Sequence, residues 1–243
     1  MQDYAAALGG GWRPLSRFQV HGTVAMRGQS RQIDGVGSNE AWNVGDASLG
    51  VRADVVDETA VGRGWMTPFM QLGLAVRVPT GSSPTESDDP TGADATGVGA
   101  WAVTAVGVAS KDVTSSDTLE IRAAFTFEIP RKVETADGGR RDIRRGHEAR
   151  VVLAYSHRFG LRWSVGSTVD VSASGRAVED AESVPRSSGY RSRVGFRAAY
   201  ALAPPNWLLV ASMTSDLPIS GTGANVPFAS ATTSLALQWA LPN

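Results

Sequence analysis

The feature that most constrains the fold is a long alternation of apolar and polar residues with a period of two. It is clearest in segments 17–29 and 118–130, where, for example, Ile121 lies between Glu120 and Arg122. Successive side chains of a β-strand point to opposite faces, so each segment would form a strand with one apolar and one polar side. The chain is therefore predicted to be all-β.

Eleven segments are predicted as strands on this basis. They are 3–12, 17–29, 44–56, 65–78, 98–110, 118–130, 147–157, 161–175, 190–202, 207–217 and 231–241. Strands of soluble proteins usually have about 5–6 residues, whereas a tilted strand crosses a bilayer with about 9–11. The predicted lengths favour an antiparallel, up-and-down transmembrane β-barrel. Since no uncharged apolar run reaches about 18 residues, a helical membrane protein is excluded.

Short and long connections alternate along the chain. The short ones are 14–16, 57–64, 111–117, 158–160 and 203–206, and the long, polar ones are 30–43, 79–97, 131–146, 176–189 and 218–230. Bacterial barrels have short periplasmic turns and long outer loops. The first strand would then run inward, and an even-stranded barrel would need another strand before residue 3. We expect one barrel domain over 1–243, of about twelve strands, whose N-terminal strand and signal peptide are missing.

The direction of the apolar face distinguishes a membrane barrel from a soluble barrel or sandwich, and alternation alone fits both. The predicted polar faces carry charges of both signs, which suit a water-filled lumen as well as a solvent-facing surface. Aromatic residues near predicted strand ends fit interfacial girdles. They are Trp12, Trp65, Trp163, Trp207, Trp239, Phe159 and Tyr155. Together with strand length, they favour the outer membrane.

Three stretches, in order, carry a resemblance to a known family. Segment 45–52 opens a strand with Gly-Asp, segment 72–81 ends in Pro-Thr-Gly, and Thr-Gly-Val-Gly-Ala-Trp at 96–101 precedes a strand that ends in Ala-Ser-Lys at 109–111. This set resembles a family of outer-membrane barrels named for the meta pathway of phenol degradation, loosely from about residue 8 onward. The resemblance implies a transporter-like barrel for hydrophobic or aromatic compounds, without catalytic residues.

The candidate functional residues are charged side chains predicted to line the lumen. They are Arg52, Arg77, Arg122, Arg150, Arg193, Arg197, Asp46, Glu120 and Glu148. Two interpretations remain open at this point. The residues could constrict a passage and set its charge preference, or arginine–carboxylate pairs could brace neighbouring strands inside a filled barrel.

The sequence gives little support for nucleic-acid binding, a metal site or a cofactor. The 23 basic and 24 acidic side chains leave no excess charge for nucleic acid, and there are no cysteines. His21, His147 and His157 fall on different predicted strands, so we expect no metal site and no cofactor. A basic run of Arg140, Arg141, Arg144 and Arg145 could bind lipopolysaccharide phosphates, or it could be an ordinary solvated loop.

The sequence thus predicts a monomeric outer-membrane channel whose partners are membrane lipids and a small-molecule solute. One alternative is a soluble β-barrel that binds a ligand. Another is an outer-membrane lipid-modifying enzyme with a Ser/His pair on the barrel wall, in which His157 would act. A third is a structural or adhesive barrel.

Overall fold

The computed structural model describes residues 2–33, 37–56, 67–81, 99–134, 140–183, 188–203, 207–217 and 231–239. These segments form fifteen β-strands. They are β1 (Gln2–Leu15), β2 (Phe18–Ile33), β3 (Gly37–Val56), β4 (Phe69–Val78), β5 (Ala102–Asp112), β6 (Asp117–Glu128), β7 (Arg131–Glu134), β8 (Arg140–Arg144), β9 (Glu148–Phe159), β10 (Trp163–Ser174), β11 (Val178–Glu179), β12 (Glu182–Ser183), β13 (Gly189–Ala203), β14 (Trp207–Asp216) and β15 (Ala231–Trp239). Within these segments, no helix is long and apolar enough to cross a membrane.

Eleven long strands form one antiparallel sheet in which each strand pairs with the next long strand of the chain. The order is β1-β2-β3-β4-β5-β6-β9-β10-β13-β14-β15. This confirms the predicted number of long strands and their up-and-down arrangement.

Four short strands form a second sheet in the order β12-β11-β8-β7. They lie within segments 131–146 and 176–189, which were predicted as loops, and β2 and β3 likewise extend into the predicted loop 30–43. The prediction was wrong at these places because a strand whose two faces are both polar carries no period-two signal of hydrophobicity.

The small sheet repeats the order of four long strands. Each short strand is next in the chain to one long strand: β7 follows β6, β8 precedes β9, β11 follows β10 and β12 precedes β13. The small sheet therefore lies at the end of the main sheet that carries the long connections. Where the connections 145–147 and 175–177 leave the main sheet, the backbones of Gly146 and Gly175 touch: a Cβ on Gly146 would overlap the carbonyl oxygen of Gly175. Only glycine allows this approach.

The two faces of the main sheet differ in solvent exposure. Alanine residues occur on both faces and have side chains of equal size, so their exposed fractions can be compared directly. On the face that carries the charged residues, Ala102 is 0% and Ala199 4% exposed. On the opposite face, Ala105, Ala123 and Ala149 are all exposed. The charged face, called the polar face below, is therefore the covered one, and the apolar face points outward.

Large hydrophobic side chains line this outward apolar face. Phe18 is 49%, Val24 44%, Ile121 46% and Phe125 38% exposed. These residues therefore do not form the dry core that a soluble barrel requires. The side chain of Leu237, expected on the same face, lies outside the described residues.

Candidate functional site

The first cluster on the polar face joins three strands through Arg77. Its guanidinium donates to both carboxylate oxygens of Glu128, at 2.7 and 2.6 Å, and its Nε lies 3.8 Å from Asp46 Oδ2. In the register, Arg77 is opposite Ala102 on β5, which is in turn opposite Glu128 on β6. The methyl group of Ala102 leaves room for the arginine to cross β5, and Gly81 N donates to Asp46 at 3.3 Å.

The second cluster surrounds Asp170, which is 7% exposed. Arg150 on β9 binds both oxygens of this carboxylate, at 2.9 and 2.7 Å, and Arg193 on β13 donates to one of them at 2.6 Å. On the next pair of strands, Arg191 binds both oxygens of Asp216, at 2.6 and 2.7 Å. Two-point arginine–carboxylate pairs of this kind are strong and directional, so they tie β9, β10, β13 and β14 together.

Arg52 and Arg197 differ from these arginines. Neither has an ion-pair partner within the described part of the chain. The stem of Arg52 lies over Gly73 of the next strand, where a Cβ would come within 3.0 Å of the arginine Cγ. His21 lies over Gly50 in the same way, at 2.6 Å from Cε1, and its buried Nδ1 has no hydrogen-bond partner. Arg52 on β3 and Arg197 on β13 are thus the two candidate arginines without an ion pair among the described residues.

The sequence-predicted site residues fall into three groups. Arg77, Arg150, Arg193 and Asp46 belong to the two clusters, whereas Arg52 and Arg197 have no ion-pair partner among the residues that the structure describes. Arg122 donates to Glu120 at 2.9 Å, two residues away on the same strand, and Glu148 is exposed at the start of β9.

Sequence reasoning left the main acceptors out of the candidate set. Glu128, Asp170 and Asp216 are the buried carboxylates of the described residues. The period-two alternation of β6, β10 and β14 is the signal that could have placed these three carboxylates on the polar face. The alternation of β13 likewise places Arg191 there.

The connection from β8 to β9 approaches the first cluster through Arg145. Part of this side chain is exposed, yet loss of solvent lowers the pKa of the guanidinium, with Glu128 and Asp46 opposing the effect and Arg77 and Arg131 adding to it. Nearby, His147 accepts a hydrogen bond from the backbone N–H of Glu128 through Nδ1, at 3.2 Å. The connection therefore contacts both faces of the main sheet, because the ring centroid of His147 lies 5.2 Å from that of Phe127 on the apolar face.

Aromatic residues gather at the end of the sheet with the short connections. Trp12, Phe159, Trp163, Trp207 and Tyr155 are all exposed there, close to the ends of β1, β9, β10 and β14. The side chains of two other predicted girdle residues, Trp65 and Trp239, lie outside the described residues. This arrangement is typical of an interfacial girdle.

His157 lies in the same region and pairs with Asp117, Nδ1 to Oδ1, at 2.7 Å. Tyr155 donates to the same carboxylate oxygen at 2.6 Å, and the ring centroid of Phe159 is 4.4 Å from that of His157. No serine hydroxyl bonds to this histidine in the segments that the structure describes. The described residues also contain no group of three or more potential metal ligands.

Comparisons with known proteins give two matches. The sequence profile of the family described as "Putative MetA-pathway of phenol degradation" matches residues 4–223. The structure is similar to that of the COG4313 outer membrane channel from Pseudomonas putida F1, with a TM-score of 0.69, 12% sequence identity and coverage of 97% of this chain and 81% of that one. A search of functionally curated proteins gives no significant match. The fold of the chain is therefore that of an outer-membrane channel.

Proposed function

Because the chain belongs to the family described as "Putative MetA-pathway of phenol degradation", we propose that it is an outer-membrane channel for small molecules. The polar face of the sheet encloses a water-filled lumen, and solutes cross it by diffusion, without catalysis. We expect the channel to act as a monomer in contact with outer-membrane lipids.

The observation that carries this proposal is the opposite exposure of the two faces. Leu72, Leu74 and Leu153 are more than half exposed on the apolar face, whereas Glu128 and Asp170 are buried on the polar one. In water this arrangement would leave a continuous apolar band in contact with solvent, which monomeric soluble proteins rarely tolerate. In a bilayer the same band is covered by hydrocarbon, which argues against the soluble alternative.

Strand length agrees with this environment. β10 has 12 residues, which extend about 36–40 Å along the strand. A tilt of about 35–45°, usual for such barrels, reduces the rise to roughly 25–33 Å, a range that includes the hydrocarbon thickness of about 30 Å. Trp163 at one end of this strand then lies at an interface.

Eight of the nine candidate residues serve two roles in this proposal, and Glu148 is given neither. The paired residues, among them Arg77, Arg150 and Arg193, stabilise the wall, because they form ion pairs with nearby side chains of opposite charge. Arg52 and Arg197 set the charge preference, because their guanidinium groups are left to the lumen. Both interpretations of the sequence therefore apply, but to different residues.

The solutes that we propose are small hydrophobic or aromatic compounds, following the family description. An enzyme with a catalytic Ser/His pair at His157 is the weaker alternative, since the described partners of that histidine are Asp117 and Phe159. Lipid hydrolysis by purified protein, lost on His157→Ala, would favour it.

Conductance of the full chain in planar bilayers tests the proposal. Refolded protein should produce stepwise currents, and heat-denatured protein from the same preparation should produce none. A silent bilayer into which folded protein has demonstrably inserted would refute the channel, although the barrel fold would still hold.

A further inference from the structure

The small sheet carries a cavity of about 640 Å³ that the channel proposal does not use. Arg131, Lys132 and Arg144 are among its lining residues. Lys132 and Arg144 share one face of the small sheet with the carboxylate of Asp142, whereas Arg131 lies opposite Ile143 on the other face. This volume lies within the usual range for small-molecule sites, about 300–1,000 Å³. The cavity therefore has the size and the charge of an anion-binding site.

Two of the lining cations, Lys132 and Arg144, lie outside the ion pairs of the described residues. Lys132 and Arg144 are exposed and form no ion pair with other described residues. Lys132 lies opposite Asp142 in the register of β7 and β8, and Arg144 lies opposite Val178 of β11. Since alternate residues of a strand share a face, the two cations stand on the same side of the small sheet. Both charges remain available to a ligand.

The rest of the lining is apolar. Val178, on the same face as the two cations, is half-buried, and Pro130 and Ala181 complete this part of the wall. An inorganic ion would use only the charged side of such a cavity. A molecule with an apolar body and an anionic head group would use both.

The cavity is also held in a defined shape. Asp180 N donates to Asp142 O at 2.9 Å, and Asp142 N donates to Asp180 Oδ1 at 2.9 Å. Asp180 and Ala181 have φ values of 49° and 67°, as a two-residue β-hairpin turn of type I′ requires. These bonds fix β11 against β8 without any ligand.

We propose that this cavity, at the end of the barrel with the long connections, binds small amphiphilic anions, such as aromatic carboxylates, before they enter the lumen. Lys132 and Arg144 bind the anionic group, and Val178, which lies opposite Arg144 on the same face of the small sheet, contacts the apolar body. The inference deepens the proposed function and rests on it for the role as an entrance, but the binding itself does not depend on conductance.

The test is a binding titration of the full-length protein in non-ionic detergent, with benzoate, benzyl alcohol and inorganic phosphate as separate probes. Benzoate should bind more tightly than the other two, and Lys132→Gln with Arg144→Gln should weaken it by about tenfold, because two charge-assisted contacts are lost. Arg162→Gln, which removes an exposed arginine at the opposite end of the barrel, should leave it unchanged. Val178→Ser should weaken benzoate but not phosphate.

Several results would overturn the proposal. If benzoate still binds after the double substitution, the cavity is not the binding site. If phosphate binds as tightly as benzoate, the apolar wall does not contribute to binding. If purified lipopolysaccharide binds through Lys132 and Arg144 while benzoate does not bind, the cavity is a lipid phosphate site instead. Heat-modifiable migration on gels shows whether each variant is folded, so that a loss of binding is not confused with unfolding.

Failure of this inference differs from failure of the channel. A protein that conducts but does not bind benzoate contradicts the inference alone. A protein that binds benzoate through Lys132 and Arg144 but never conducts contradicts the proposed function and leaves a binding site at the rim of the barrel.

Discussion

Arg77 on β4 binds both carboxylate oxygens of Glu128 on β6, although β5 lies between them. The pair reaches across Ala102, whose side chain is 0% exposed beneath it. A small residue on the middle strand thus determines which charges on the polar face can meet.

Ala102→Leu should therefore destabilise the barrel. The larger side chain overpacks the site, at about 1–3 kcal/mol, and separates Arg77 from Glu128, which leaves a buried carboxylate unpaired at a further cost of about 3 kcal/mol. Urea unfolding in lipid vesicles, followed by tryptophan fluorescence, measures the change. Ala105→Leu, on the exposed face of the same strand, is the matched control and should change stability little. Equal effects of the two substitutions would mean that Ala102 does not separate the pair.

Asp170 is the shared acceptor of Arg150 and Arg193. Asp170→Asn should reduce the free energy of unfolding by about 3 kcal/mol, because two arginines lose one buried partner. Arg193→Gln should cost less, about 1.5 kcal/mol, because Arg150 still binds the carboxylate at two points. The same Asp170→Asn variant should shift the reversal potential in a salt gradient toward anions. An Arg193→Gln variant less stable than Asp170→Asn would contradict this assignment of roles.

Arg52→Gln and Arg197→Gln together should change selectivity without changing stability. Neither arginine has an ion pair among the described residues, so the free energy of unfolding should stay within about 0.5 kcal/mol of its original value. The reversal potential should move toward cations, because two positive charges leave the proposed lumen. Arg162→Gln, at the end with the short connections, should leave both quantities unchanged. An unaltered reversal potential in the double variant would exclude the two arginines from the filter.

The sequence predicts the wall of this protein better than its interior contacts. The period-two pattern places the ends of the eleven long strands within about four residues, except for the start of β3. Contact with hydrocarbon imposes this pattern on every strand that crosses the membrane. Beyond the membrane that constraint ends, so β7, β8, β11 and β12 left no such signal.

The ion pairs could not be predicted for a different reason. Arg77 reaches Glu128 only because the register aligns both with Ala102, and Asp170 lies between two arginines from different strands. Alternation determines which face a residue occupies, but its partner depends on how neighbouring strands are shifted against each other. Both interpretations of the arginines therefore stay open when only the sequence is considered.

Leu153 and Ala154 are neighbours on β9 that point to opposite faces, and they test the orientation of the whole sheet. Leu153 is 52% exposed on the apolar face, so Leu153→Arg would place a charge in hydrocarbon at a cost of about 2–4 kcal/mol near the bilayer midplane. Ala154→Arg would place the same charge on the polar face, where water and nearby carboxylates can accommodate it. We expect Leu153→Arg to insert poorly into vesicles and Ala154→Arg to insert almost normally, as measured by protease protection and heat-modifiable migration. The reverse order would mean that the apolar face does not meet lipid, and the channel proposal would lose its basis.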